Sequence, residues 1–341
     1  MIKEDKTMPI PILLGLGVVA GVTGVAKAVG AKQKNDEAKD VNEKAKHIYD
    51  NAKSNANKAR QAANEAVKNL GQLRIDTLQN EISQFMNSFN QIHHLEASFS
   101  KDFGGQLKWN KEEYLKMKEL ETLSFSMASG AFKGSAAGAV TAFGAYGGAM
   151  TFGAASTGTA IASLSGAAAT NATLAFLGGG SLAAGGLGVA GGTMVLGGLV
   201  AGPALAVLGF TLSAKASANL DNARSNLAKA REIAESLATV RDTCYHIRDV
   251  AQEYAKTLRK LRPLLASLTE ELQQVIRDYG TDYRAYSTNA KHTVAAGMAI
   301  FQIIAPIIGT AIITKDGAVS KRARQIINGT KERLTEVRQL L

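Results

Sequence analysis

Few residues in this chain have a type and spacing suited to catalysis. Gly186, Gly188 and Gly191 form a GxGxxG pattern, which in dinucleotide-binding folds lets a pyrophosphate approach the start of a helix. The pattern works between a strand and a helix, with an acidic residue about twenty positions further on. Here the next acidic residue is Asp221, and no strand pattern surrounds the glycines. We therefore predict no nucleotide site.

The other chemistry-bearing residues are equally uninformative. The sequence has no Walker lysine after a glycine loop, no HExxH, no GxSxG and no carboxylate inside its apolar segments, which leaves no buried acid or base. His93 and His94 are adjacent and point in different directions on a helix, so we do not expect a metal pair. Cys244 is the single cysteine, which excludes an intramolecular disulfide, and its place on an apolar stripe predicts burial. We predict no catalytic, cofactor-binding or metal residues, and hence a non-enzymatic protein.

The most distinctive stretch runs from Gly134 to Ala214 and contains no Asp, Glu, Lys, Arg or His. Its length allows about four helices of ~20 residues, the span of a hydrocarbon core. Backbone amides in lipid must be paired internally, which helices do most simply. A glycine-rich region inside a soluble core is the alternative, although glycine costs an aqueous helix about 1 kcal/mol per residue. We predict a membrane-active helical block over residues 127–214.

Glycines within and beside this block recur four residues apart, which places small residues on one helical face and lets two backbones approach closely. This glycine-zipper pattern predicts membrane helix packing through nine positions: Gly130, Gly134, Gly138, Gly144, Gly148, Gly188, Gly192, Gly198 and Gly202.

Two long polar helices are predicted to flank the block. In the first, over residues 33–126, small and then larger apolar residues recur at spacings of three, four or seven, and a shorter amphipathic helix follows. In the second, over 215–290, an apolar seam runs from Leu220 to Tyr279 and Pro263 is expected to kink the helix. Seams of this length are typical of coiled coils. We predict an all-α fold in which long coiled-coil helices, paired antiparallel, flank a Gly/Ala-rich hydrophobic hairpin or bundle.

Two more apolar segments lie outside the central block. The N-terminal region, residues 1–32, carries the apolar run Pro9 to Ala26; we interpret it as an uncleaved hydrophobic segment, with a signal peptide as the alternative. Residues 291–314 contain the run Thr293 to Thr314, which has the length and flanks of a membrane span and tolerates Pro306 as a kink.

The segments beside that last span suggest contact with a membrane surface. Tyr279, Tyr283 and Tyr286 share one face of the predicted helix and fit the headgroup level, or alternatively the coiled-coil seam. The tail, residues 315–341, holds seven Lys/Arg and three Asp/Glu, a net charge of 7 − 3 = +4. As a basic amphipathic helix it suits anionic lipid, and we expect this contact through three residues: Lys321, Arg322 and Arg324. A solvated terminal helix is the alternative.

The formal net charge of +10 suits an anionic lipid surface or a nucleic acid. The amount of apolar sequence favours lipid, because a nucleic-acid-binding coiled coil would leave the apolar block unexplained. We therefore expect membrane lipid, anionic in character, as the partner, together with self-association into a homo-oligomer and a coiled-coil protein as a further candidate partner. The expected location is a membrane, reached either directly or from a soluble cytoplasmic or secreted form.

The segment Thr151 to Pro203 resembles the Gly/Ala core of a group of uncharacterised bacterial proteins with long flanking helices. In architecture, the chain is similar to helical pore-forming toxins of the cytolysin A type and, more loosely, to apolipoprotein L proteins. This resemblance implies a form that conceals an apolar head and then inserts it to assemble a pore. Our prediction is a membrane-permeabilising toxin or defence effector; the alternative is a constitutive integral membrane scaffold whose coiled coil recruits a partner.

Overall fold

A computed structural model describes residues 24–95, 114–115, 117–122, 140, 143–147, 220–314 and 317–337. These residues are almost entirely helical and form no strand, so the described part confirms the all-α prediction. Five α-helices have defined bounds: α1, Gly24–Thr77; α2, Ser83–Phe89; α3, Leu220–Tyr279; α4, Thr288–Gly309; and α5, Lys321–Val337. The predicted helices at 148–219, and the N-terminal run up to residue 23, lie outside the described residues.

The chain divides into two units, the smaller formed by residues 1–47 and 211–230. Within it, the described parts of α1 and α3 are held together by Glu37 and Arg224, 3.7 Å apart, and by a 3.0 Å hydrogen bond from the Asn226 amide to the Asn42 side chain. Four alanines are buried in this unit: Ala38, Ala45, Ala223 and Ala230. Small side chains at these positions let the two helices lie close together.

The larger unit, residues 48–210 and 231–341, contains the main hydrophobic core. The predicted seam of α3 supplies much of it: Val240, Cys244, Ile247, Ala251, Tyr254, Leu258, Leu261, Leu265, Leu268 and Leu272 are all buried. The periodicity of this helix therefore identified its inward face. Coiled-coil packing along that face stays a prediction.

The antiparallel pairing predicted for the two long helices is wrong. In the larger unit Glu81 pairs with Arg262, and further along both helices Ser88 accepts a hydrogen bond from Gln273. Both positions advance together, so the two helices run parallel. The 130 residues between the two helices, 90–219, are enough for the chain to return to the N-terminal end of the first helix before α3 begins. The similar lengths of the two helices therefore could not exclude a parallel pair.

The first long helix is also less regular than predicted. Its α-helical pattern changes at Leu78–Ile82, which forms one π-helical turn, and it ends at Phe89. In α3 the helix ends at Tyr279, because Gly280 takes a left-handed conformation with φ of 77°. The predicted continuous helix through Tyr286 is therefore wrong, and a 3₁₀ turn at Tyr283–Ala285 leads towards α4.

The third apolar segment forms α4, which Ser287 caps at its N-terminus. It packs against α2 through stacked rings of Phe85 and Phe301, whose centroids are 5.5 Å apart. Helix α5 turns back along α4, with the Arg333 guanidinium 3.3 Å from the carbonyl oxygen of Gln302. The tail is amphipathic as predicted: its apolar residues Ile327 and Val337 are buried against this core.

Candidate functional site

The site begins at a close crossing between α1 and the start of the uncharged block. Residues 140 and 143–146 are helical. A Cβ added to Gly71 would lie 1.9 Å from the carbonyl oxygen of Val140, and one added to Gly144 would lie 1.9 Å from that of Val67. Each backbone therefore occupies the space that a side chain on the other would need. Only glycine permits this approach, which is the geometry that small-residue spacing produces between helices.

Arg74 lies one turn beyond Gly71 and is completely buried. Its Nη1 donates to the carbonyl oxygens of Phe143, at 2.9 Å, and Gly144, at 3.1 Å. Its Nη2 donates to the carbonyl oxygen of Thr310, at 2.9 Å, immediately after α4 ends. One guanidinium thus joins the first long helix to the beginning of the uncharged block and to the end of the apolar helix α4.

The charge of Arg74 has no carboxylate partner among the described residues. Burial lowers the pKa of its guanidinium to about 10, so the group remains cationic at neutral pH. The compensating groups are carbonyl oxygens at two helix ends, where the helix dipole is negative. The Tyr254 ring lies below the guanidinium, 5.5 Å from ring centroid to Cζ. The Nε atom of Arg74 is buried and has no hydrogen-bond partner in the described structure.

A short loop completes this arrangement. The amides of Ile312 and Ile313 both donate to the carbonyl oxygen of Ala145, at 2.7 and 3.3 Å. Gly147 has a φ of 51°, and a Cβ there would meet Nη1 of Arg74 at 2.9 Å and the carbonyl oxygen of Ile308 at 2.6 Å. We call Gly71, Arg74, residues 143–147 and residues 310–313 the Arg74 junction. Because both terminal nitrogens of Arg74 bind backbone carbonyls, the junction is suited to holding segments together.

The sequence-predicted positions lie in different surroundings. Of the packing glycines, Gly144 lies at the crossing, and the other eight are outside the described residues. The predicted interfacial tyrosines form a cluster in which Tyr283 and Tyr286 are buried and Tyr279 is exposed, with ring centroids 5.6 Å apart for the first two. Tyr283 and Tyr286 lie after the end of α3 and outside its seam, and contact of the three tyrosines with lipid headgroups stays a prediction. Lys321, Arg322 and Arg324 are all exposed on α5.

Two residues of the junction, Gly71 and Arg74, were not predicted from the sequence. A signal was nevertheless present, because a glycine and an arginine three positions apart share one helical face. Here they interrupt an apolar stripe that includes Leu70 and Leu73, and an arginine at such a position must be buried or break the stripe. Its carbonyl partners come from residues about 70 and 236 positions away, and no local pattern predicts those contacts.

A groove of about 520 Å³ with mixed polar and apolar walls lies between α1 and α3. Small side chains of Ala62, Ala66 and Ala255 leave the space between the helices, and three cations lie at its sides: Arg248, Lys256 and Arg259. Arg248 is paired with Asp249 and lies over the Tyr245 ring. Lys256 and Arg259 are exposed, so water already solvates their charges.

Within the part of the chain that the structure describes, no group of three or more His, Cys, Asp or Glu side chains could hold a metal ion. One described helix, Thr288–Gly309, is long and apolar enough to cross a membrane, with a mean hydropathy of 1.6, and 78% of its apolar window is buried. The core helix of a soluble protein meets the same criterion. Comparison with protein-family models, curated proteins and solved structures found no match to this chain.

Proposed function

We propose that this chain is a non-enzymatic, membrane-active protein that keeps apolar helices inside a helical bundle and inserts them into an anionic membrane, where it oligomerises and permeabilises the bilayer. One observation carries the proposal: α4 has the length and hydropathy of a membrane span, yet it is enclosed by the packed helices. Enclosure by other helices lets an apolar segment exist in a water-soluble state, because burial removes its surface from solvent.

Two further features support conditional insertion. The uncharged stretch from Gly134 to Ala214 contacts α1 at Gly71 through Val140 and Gly144, and Arg74 joins that contact to the end of α4. The basic side chains of α5 are exposed beside the apolar core and offer a first contact for anionic headgroups. The same charges would also suit other polyanions, so lipid composition must be varied in the test.

The test is dye release from liposomes by protein purified without detergent. Anionic and zwitterionic vesicles are compared, and a variant carrying Gly188→Leu and Gly192→Leu removes one predicted glycine face. We expect release from anionic vesicles by the native chain and loss of release in the variant. Binding without leakage by the native chain would overturn the pore and leave a docking protein.

The second candidate is a constitutive integral membrane scaffold whose long helices recruit a partner protein. The parallel pairing of the first long helix with α3 in the larger unit favours it to this extent: both helices keep exposed side chains, such as Lys68 and Lys260, available to a partner. Fractionation separates the two candidates. A scaffold stays in the membrane pellet after alkaline carbonate washing of freshly lysed cells, whereas a conditionally inserting protein is recovered in the supernatant.

A further inference from the structure

We infer that the Arg74 junction is a latch that couples two apolar segments, so that the start of the uncharged block and the end of α4 are held, and released, together. The role of the latch in releasing apolar segments rests on the proposed membrane activity. The coupling of the two segments rests on the geometry of the junction.

The first step of the argument is the number of segments that one side chain joins. Arg74 donates to carbonyls on both sides of the junction, at residues 143–144 and at Thr310. The two apolar segments also bind each other directly through the Ile312 amide and the Ala145 carbonyl oxygen, 2.7 Å apart. If either segment undocked alone, the buried Arg74 cation would lose some of its hydrogen bonds. The free energy needed to move one segment alone is therefore higher.

The second step is the type of partner. Arginine paired with a buried carboxylate would stabilise one fixed pair of side chains, whereas the hydrogen bonds of Arg74 all go to main-chain carbonyls at helix ends, with the Tyr254 ring beside the guanidinium. Those carbonyls lie within hydrogen-bond distance of Arg74 only while the helix near residues 143–147 and α4 are both packed against α1. The charge is therefore stably buried in the docked state alone, and undocking exposes it to water. An apolar residue at the same position would fill space but would not depend on both helix ends.

The third step is the shape of the junction. Gly71 and Gly144 bring the two backbones into contact, and Gly147 turns the chain in a left-handed conformation beside Nη1 of Arg74. A side chain at any of these three positions would move the carbonyls that Arg74 binds. The latch thus depends on three glycines and one arginine that form a single packed unit.

The test measures hydrogen exchange of the Ile312 amide, which reports docking of Ala145. We expect Arg74→Met to accelerate its exchange by at least about tenfold, since hydrogen bonds to charged groups are among the stronger ones. Arg74→Lys keeps the charge but has a single donor centre, which cannot bridge both helix ends, so an intermediate effect is expected. Leu272→Ala, which truncates a buried leucine elsewhere in the core, is the control for general destabilisation.

A second variant keeps the test decisive if Arg74→Met does not fold. Gly147→Ala keeps the arginine in the chain but strains the turn and crowds its Nη1, and we expect it to accelerate exchange at Ile312 in the same way. The latch is overturned if neither Arg74→Lys nor Gly147→Ala accelerates exchange at Ile312 more than Leu272→Ala does, at equal loss of melting temperature.

Dye release from anionic vesicles then separates the latch from the proposed function. If the variants that accelerate exchange at Ile312 also release dye faster than Leu272→Ala does, both the latch and the membrane-permeabilising function are supported. If exchange at Ile312 accelerates while leakage is absent from every variant and from the native chain, the latch stands and the membrane-permeabilising function fails.

Discussion

At the scale of single residues, the structure distinguishes glycines that differ little in sequence. Gly71 lies against the backbone of the helix at residue 140, where an added Cβ would meet an oxygen at 1.9 Å. Gly329, inside α5, has no atom within 4 Å of an added Cβ. The first is required by packing, and the second only lowers the helix propensity of α5.

Substitution of these two glycines by alanine should therefore have opposite effects. Gly71→Ala forces the two helices apart and should lower the free energy of unfolding by at least about 2 kcal/mol, in the range of overpacked cores. Gly329→Ala should raise it by about 0.5–1 kcal/mol. Urea denaturation followed by circular dichroism measures both. Equal effects of the two substitutions would contradict the close crossing.

Cys244 gives a second prediction at this scale. The thiol is buried on the inward face of α3, and burial raises its pKa to about 11. Because the thiolate is the reactive form, the folded protein should react with an alkylating reagent at pH 8 at least about 100-fold more slowly than the chain in denaturant. Mass spectrometry of the labelled peptide measures the rates. Comparable rates with and without denaturant would show that this face of α3 is open.

At the scale of elements, a few polar contacts determine how the long helices are paired. Glu81, within the π-helical turn, binds Arg262 of α3 at 2.9 Å. The two side chains are only 15% and 24% exposed, so this ion pair is less screened than those on the surface. The contact lies one residue before Pro263, and it aligns the two helices in parallel.

A double-mutant cycle with Glu81→Gln and Arg262→Gln should measure a coupling energy of about 1–2 kcal/mol. That is more than the 0.2–1 kcal/mol typical of exposed pairs and less than fully buried pairs reach. The matched control is the exposed pair of Lys331 and Glu253, 3.3 Å apart, where we expect less than about 0.5 kcal/mol. A coupling energy near zero at both pairs would show that the ion pair of Glu81 and Arg262 does not stabilise the pairing of the two helices.

At the scale of the molecule, charge and apolar surface are segregated. The core of the larger unit encloses α4, while the basic residues of α5 face solvent. The exposed basic residues of α5 are therefore available to a partner without disturbing the core. Under the proposed function, the position of these charges matters more than their number.

Replacement of Lys321, Arg322 and Arg324 by glutamine tests that statement. The net charge changes to 10 − 3 = +7, and stability should stay within about 0.5 kcal/mol because the side chains are exposed. Affinity for anionic vesicles should fall by about 100-fold, from about 1 kcal/mol for each basic residue at the surface.

The matched control for this triple variant is Lys58→Gln, Lys68→Gln and Lys260→Gln. These three lysines are also exposed in the larger unit, and the net charge changes equally. We expect vesicle affinity to fall much less. Equal losses in a vesicle sedimentation assay would mean that the total charge governs binding and that α5 has no special contact.

The sequence by itself determined the helical class, the inward face of α3 and the burial of Cys244, because the spacing of apolar residues along a helix is a local property. It misjudged the direction of pairing, because periodicity is the same for parallel and antiparallel neighbours.

Only the tertiary structure decided which residues form the junction. Gly71 and Arg74 become significant through contacts with Gly144 and Thr310, which are far away in sequence. The energy of a buried charge depends on the groups that surround it in three dimensions. Their positions follow from how the helices pack, and no local pattern in the chain specifies them.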